Sequence, residues 1–220
     1  MNIRDLYLKS HDIASQAVFY RRFLGEEAVT LEPTTLTVNV GRSRLIFEAA
    51  SEPVAGVYHV AFNIPENQFA DACTWLTERV SPIVSNRGET TFYSTSWDAH
   101  MVYFYDADGN IAELIARHTL ENARSEPFGA QSLLNVSEIG VAAADVLQCV
   151  THLKQQIGVR EYGVSSGAFA PVGDETGLFI VVKKGRMWAP DTGLAAEHVP
   201  IRVVLEDGLS LSFPQSRSCQ

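Results

Sequence analysis

An imidazole and a carboxylate stand in two apolar stretches of this 220-residue chain. His59 lies in Tyr58-His59-Val60-Ala61-Phe62, and Glu113 in Ile111-Ala112-Glu113-Leu114-Ile115. A lone histidine on an alternating strand is by default a hydrogen-bonded core residue. Glu113 is harder to place, because burying a carboxylate is costly unless it is paired or metal-bound. Both donor types suit first-row divalent metals. Asp5, Glu48 and Glu138 are further carboxylates in strand-like segments. His100 and Tyr103 share the run His100-Met101-Val102-Tyr103, and either could move a proton. A separation of three puts them on opposite faces of a regular strand, so one of the two roles fails unless a bulge intervenes. Trp97 can wall a pocket or anchor a loop. His118 reads as a strand-end surface residue. Lys183, Lys184 and Arg186 form a small basic cluster, read first as a solvated hairpin end and second as an anion contact. There is no Walker loop, Rossmann fingerprint or CxxC motif, and the G-x-S-x-G match at Gly163 to Gly167 follows a helix and precedes a strand-like run, the reverse of a nucleophile elbow. Nucleotide hydrolysis, serine hydrolase and dehydrogenase readings therefore have no support.

The elements that must position these groups repeat. Three times a short alternating strand leads through a polar junction into an amphipathic helix. The first strand is Asp5 to Ser10, with a helix from about Asp12 to Leu24, capped by Asp12 and stopped by Gly25. The second strand is Tyr58 to Ile64, with a helix from about Glu66 to Val80. The third is Ser137 to Ala142, with a helix from Asp145 to Gly158 carrying Val146, Val150, Leu153 and Ile157 at spacings of 4, 3 and 4. Strand-like runs separated by turns follow each helix, so each unit reads βαβββ. The expected organisation is a first module over 1–54, a second over 55–118, a linker over 119–131, a third βαβββ-like module over 132–207 and a flexible tail over 208–220. A unit of this size cannot bury both its sheet and its helix alone, so modules must pack together.

Composition narrows the partners. Apolar residues make up 46% and charged residues 20%, which is ordinary globular composition and excludes disorder of the whole chain. No stretch approaches the roughly 20 apolar residues of a membrane-spanning helix. The opening residues, broken by charges, lack the apolar run of a secretory signal. Three cysteines without metal-finger spacing point to reduced thiols and a cytoplasmic setting. The net charge of −9, with no basic run, excludes nucleic acid and anionic membranes as expected partners. A small-molecule substrate, a metal cation or another protein remains.

The βαβββ repeat, with HVAF opening a unit and DADGNIAEL near its end, resembles the vicinal oxygen chelate superfamily. That superfamily includes glyoxalase I, bleomycin-resistance proteins and extradiol dioxygenases. The resemblance covers roughly residues 3–206 and is most specific over Ala99 to His118, with Ala107 where the proline of a D-P-x-G-N turn usually stands. It implies an α+β fold of three βαβββ modules, with modules one and two paired into a curved-sheet cup and helices outside. It also implies metal ligands on the first and last strand of each module. His59 and Glu113 then form the main pair, with Glu48 or Asp5 as the best third ligand and Glu138 as a weaker candidate. The implied metal is Fe(II) first, with Mn, Zn or Ni as alternatives. Tyr103 occupies the place of an active-site tyrosine in ring-cleaving dioxygenases. His100 is the candidate acid–base group, although the family's histidine usually lies earlier, where this chain has Thr91 to Ser96. The leading expectation is an extradiol dioxygenase-like enzyme acting on a small aromatic diol. The alternatives are a glyoxalase-like lyase or isomerase, or a non-catalytic small-molecule-binding protein. Three modules are odd in a fold that pairs them. A homodimer is therefore expected, with Val141, Phe179, Val181 and Val203 of module three against a second copy.

Overall fold

The computed structural model describes residues 1–214. The first repeat gives β1 (Ile3–Ser10), α1 (Ile13–Leu24), β2 (Val29–Leu31), β3 (Thr35–Val40) and β4 (Ser43–Ala49). The second gives β5 (His59–Ile64), α2 (Phe69–Thr77), β6 (Thr91–Ser94), β7 (Ala99–Tyr105) and β8 (Ile111–Arg117). The third gives β9 (Asn135–Ala143), α3 (Val146–Ile157), β10 (Phe169–Asp174) and β11 (Gly177–Lys183), and the chain ends in β12 (Ile201–Leu205) and β13 (Ser210–Phe213).

Local signals set the helices. Asp12 Oδ1 accepts from the backbone N–H of Ala14 and Ser15, each at 3.0 Å, and so satisfies first-turn donors of α1. Asp145 caps α3 through the Gln148 N–H at 3.0 Å, and Gly158 closes that helix at φ 66°. Within α3, Val146, Val150 and Leu153 are buried, as their spacing requires.

The strands form two sheets. One runs β13-β12-β1-β4-β3-β2 and the other β10-β11-β9-β5-β8-β7-β6. In each module the first strand lies parallel to the last strand of its antiparallel hairpin, as β5 does to β8 and β9 to β11. The modules then join through their first strands, β5 antiparallel to β9. Module two thus pairs with module three, which corrects the expected pairing of modules one and two. Every residue of β9 is buried, as a central strand requires, whereas β1 leaves Arg4 exposed and Tyr7 and Lys9 half-buried. On the face that Asp5 occupies, β1 carries Tyr7 and Lys9, both partly exposed, so that face stays half wet where β9 is dry on both faces. β1 instead takes β12 as its antiparallel neighbour, so the chain's last strands cross to the first module's sheet. The expected flexible tail begins as strand β13, held by buried Leu211 and Phe213, and residues 215–220 lie outside the described residues.

The two sheets share one core. Tyr58 Oη accepts from Lys9 N–H at 3.1 Å and donates to the Pro200 carbonyl at 2.8 Å, tying the sheets together. Ser43 does the same, donating to the Ile3 carbonyl at 2.6 Å and accepting from Val136 N–H at 3.1 Å. Val141, Phe179, Val181 and Val203 are all 0–1% exposed in this core. The sheet face on which a second copy was expected is therefore already covered within the chain. Cys73 is a free thiol, and Cys219, which the expectation of three reduced thiols also covers, lies outside the described residues. Among the described residues no helix is long and apolar enough to cross a membrane.

The DADGN turn joins β7 to β8. Asp106 accepts from the backbone N–H of Asp108 and Asn110 at 3.0 and 2.9 Å. Its second oxygen accepts from Asn110 Nδ2 at 2.9 Å and from Gln16 Nε2 of α1 at 2.8 Å. The turn thus pins β8, and with it Glu113, to module one.

Candidate metal centre

Alternation sends one set of side chains from β5, β8, β7, β9 and β11 to the concave face of the seven-stranded sheet. His59, Glu113 and Glu138 meet there, and one ligand atom from each lies within 4.8 Å of the others. Among the described residues this is the only such group of three. All three are buried, with Glu113 and Glu138 each 2% exposed. His59 Nε2 lies 2.9 Å from Glu113 Oε2. Glu138 is held by Arg117, which is fully buried and sits beside the rings of Trp97 and Tyr162 at 5.3 and 5.9 Å.

Electrostatics follow from this crowding. Burial works against a charged His59, but the hydrogen bond and charge of Glu113, with Glu138 behind it, outweigh that and raise its pKa. Burial, then the neighbouring Glu113 charge, push Glu138 up to about 7 against the pull of Arg117 and His59. Burial, then the charges of Glu113 and Glu138, hold the Tyr103 phenol well above its usual value. Two buried carboxylates thus face one guanidinium and one imidazole. A divalent cation fits this donor set of one nitrogen and two carboxylates, because it would compensate the second carboxylate.

Register explains which residues converge. Glu113 pairs with Ala61, two residues beyond His59. The same step from Glu138 leads to Gly140 and its partner Ile180. An apolar side chain therefore stands at the fourth ligand position, and the group remains open on that side.

In the other sheet the equivalent of that step leads from Asp5 to Tyr7 and its partner Ile46, so the first module has no counterpart of Glu113. Asp5 is bound by Arg44 at 2.6 Å and Arg4 at 3.1 Å. Burial opposes the Asp5 charge, but these guanidinium groups lower its pKa overall. Glu48 is bound by Lys9 at 2.9 Å and Arg202 at 3.5 Å. Neither joins the group at His59, which corrects their expected place beside it; Glu138 is the carboxylate that completes the group with His59 and Glu113.

Tyr103 and His100 separate as their spacing requires. Tyr103 lies opposite Glu113 in the β7–β8 ladder, with its ring 6.3 Å from that of His59. His100 faces the other way, packed on Phe69 of α2 at 5.1 Å, with Nδ1 2.7 Å from His118 Nε2. His100 is therefore not in the cavity, a second correction.

The cavity over these three residues has a volume of about 280 Å³. Its walls are chiefly Trp97, Met101, Phe169, Ile180 and Trp188. A larger groove of about 680 Å³, between Met1 and Arg160, contains none of the metal-ligand candidates. Trp188 stacks beside His59 at 5.3 Å and rests on Gly140, where a Cβ would lie 2.5 Å from its ring. Sequence reasoning missed Arg117 and Trp188. Alternation from Glu113 through Ile115 could have placed Arg117 on the concave face. Nothing local marks Trp188, which comes from the irregular segment between β11 and β12.

No model of a known protein family matches the chain. The metallothiol transferase FosB of Staphylococcus haemolyticus is 31% identical over 108 residues, which are 47% of this chain and 74% of that protein. The protein of that name from Staphylococcus epidermidis is likewise 31% identical over 108 residues. A putative dioxygenase from Bacillus subtilis shares the fold with a TM-score of 0.62 at 14% identity, over 96% of this chain and 84% of that one. A V278E mutant of glyoxalase I from Zea mays does so at 0.55 and 12% identity, over 96% of this chain and 91% of its own.

Proposed function

Because this chain belongs to the vicinal oxygen chelate superfamily, we propose that it is a metal-dependent enzyme in which His59, Glu113 and Glu138 hold one divalent ion. The observation that supports this is the convergence of three buried ligand atoms within 4.8 Å at the floor of an otherwise apolar cavity. Fe(II), Mn(II), Zn or Ni held there would supply Lewis acidity toward two neighbouring substrate oxygens. The protein's own groups do the rest. Ile180 leaves one side open for substrate. Trp97, Phe169 and Trp188 exclude water and receive a flat ligand. Arg117 keeps Glu138 oriented.

The groups able to carry a proton in this cavity are the carboxylates and the Tyr103 hydroxyl, since His100 lies on the other face. This favours proton transfer at carbon beside the chelated oxygens, the chemistry of a lyase or isomerase of the glyoxalase kind, with a ligand glutamate as base. The second reading is the ring-cleaving dioxygenase, favoured by the aromatic walls and by Tyr103 as the proton-bearing group. In either reading Tyr103→Phe slows turnover roughly 10–1000-fold.

Metal content is the primary test. After separate loading with Fe(II), Mn(II), Zn and Ni, the wild type should retain about one ion per chain, and His59→Ala or Glu113→Ala should lose most of it. No retained ion in the wild type would overturn the reading. Isomerisation of a 2-oxoaldehyde–thiol adduct and oxygen uptake with a catechol then separate the two chemistries. Thiol consumption with an electrophile tests the reaction named by the staphylococcal relatives.

A further inference from the structure

The basic cluster after β11 has a place in the cavity. Lys184 is paired with Glu197 at 3.1 Å. Arg186 has no carboxylate partner among the described residues. It lines the cavity, with its guanidinium carbon 5.1 Å from the centroid of Phe169, itself a cavity wall. The lining carboxylates, Glu113 and Glu138, belong to the metal group. Ser94 and Ser96 add two hydroxyls to the same lining. The Arg186 Nη1 donates to the Met187 carbonyl at 3.5 Å, and in a chain of net charge −9 a guanidinium without a carboxylate partner draws an anion to the cavity against the overall field.

Resting on the metal-centre reading above, we propose that the substrate is a small carboxylate with a flat apolar body: its two neighbouring oxygens face the metal group and its carboxylate is received by Arg186. The planar fork of a guanidinium matches a carboxylate in two parallel hydrogen bonds. A single arginine gives no second clamp for a polyanion. The cavity, at about 280 Å³, lies just below the roughly 300–1,000 Å³ typical of ligand sites, so both contacts belong to one small molecule. Arg186 is exposed on its outer side, so its pull is screened by salt.

The test uses two probes with the same oxygen pair, 3,4-dihydroxybenzoate and catechol, on the metal-loaded full chain. Quenching of Trp97 and Trp188 fluorescence reports occupancy. 3,4-Dihydroxybenzoate should bind about tenfold more tightly than catechol, as one charge-assisted contact implies, and added NaCl should shrink the difference. Arg186→Gln should bring the two within about twofold while metal content and catechol affinity stay as in the wild type. Lys184→Gln should keep the preference. Equal affinities in the wild type, a preference that survives Arg186→Gln, or no binding of either probe would overturn the proposal. A parallel pair on metal-free protein, 4-hydroxybenzoate against 4-methylphenol, reads Arg186 alone. Failure of the metal reading appears instead as absent metal content.

Discussion

Residues that must lose or gain a proton in a buried place make the site measurable. A ligand histidine must be neutral and a ligand glutamate ionised. In the metal-free protein Glu113 and Glu138 favour the protonated imidazole of His59, and burial with Glu113 favours protonated Glu138. Metal loading near pH 6 should therefore release protons, seen by calorimetry in two buffers of different ionisation enthalpy; loading with no buffer dependence would contradict the site. The same shifts give a stability slope. His59, Glu138 and Asp106, the last pushed up to about 6 chiefly by burial, are all raised above their unfolded values. Each holds more protons when folded, so its contribution is present at low pH and lost as pH rises through its folded pKa. Asp5 and Glu48, lowered by their cationic partners against burial, act oppositely and lose stability as pH falls below about 4. The melting temperature of metal-free protein should peak near about pH 5 and fall toward pH 8, and Glu138→Gln should flatten the part between 4.5 and about 7. Asp106→Ala leaves four donors without their acceptor and should cost about 3 kcal/mol by urea unfolding.

Strands and the segments between them decide how tightly the cup closes. β9 presents Glu138, Gly140 and Ala142 to the concave face, and the small middle residue makes the seat for Trp188. A methyl at Gly140 would lie 2.5 Å from the Trp188 ring and 3.2 Å from His59 Cβ. The backbone of Gly140 is not in the left-handed region, so the obstacle is the ring, not the main chain. Gly140→Ala should destabilise by roughly 1–3 kcal/mol and shift tryptophan emission to the red as Trp188 is pushed toward water. Combining it with Trp188→Phe should recover part of that loss. Additive losses in the double variant would show that Trp188 does not rest on Gly140. The register that puts Gly140 there also puts Ile180 where a fourth ligand would stand.

Across the whole molecule the β5–β9 pairing binds modules two and three into one sheet, and β12 gives β1 a partner in the other. Each first strand is satisfied inside the chain, which removes the argument for a second copy against module three. Phe179 shows the difference. On an associating face its removal would change the mass in solution at little cost in stability. In the core, fully buried and 5.5 Å from the ring of Phe213, its replacement by Ala should cost about 3–5 kcal/mol. Light scattering should find the particle mass unchanged from wild type. A change in mass with unaltered stability would restore the association reading.

The amino-acid sequence by itself determined what depends on short-range periodicity. The three strand–helix repeats, the caps of α1 and α3, and the placing of His59 and Glu113 on the first and last strands of one module were all legible in it. So was the separation of His100 from Tyr103, since a period of two assigns faces within one strand. Only the tertiary structure decided which modules pair. β1 and β9 open similar units, and the choice between them rests on whether a whole face can be dehydrated beside β5. That choice put Glu138, and neither Asp5 nor Glu48, beside His59 and Glu113. It also brought in Arg117 and Trp188, because contacts made across sheets and from irregular segments leave no periodic trace along the chain.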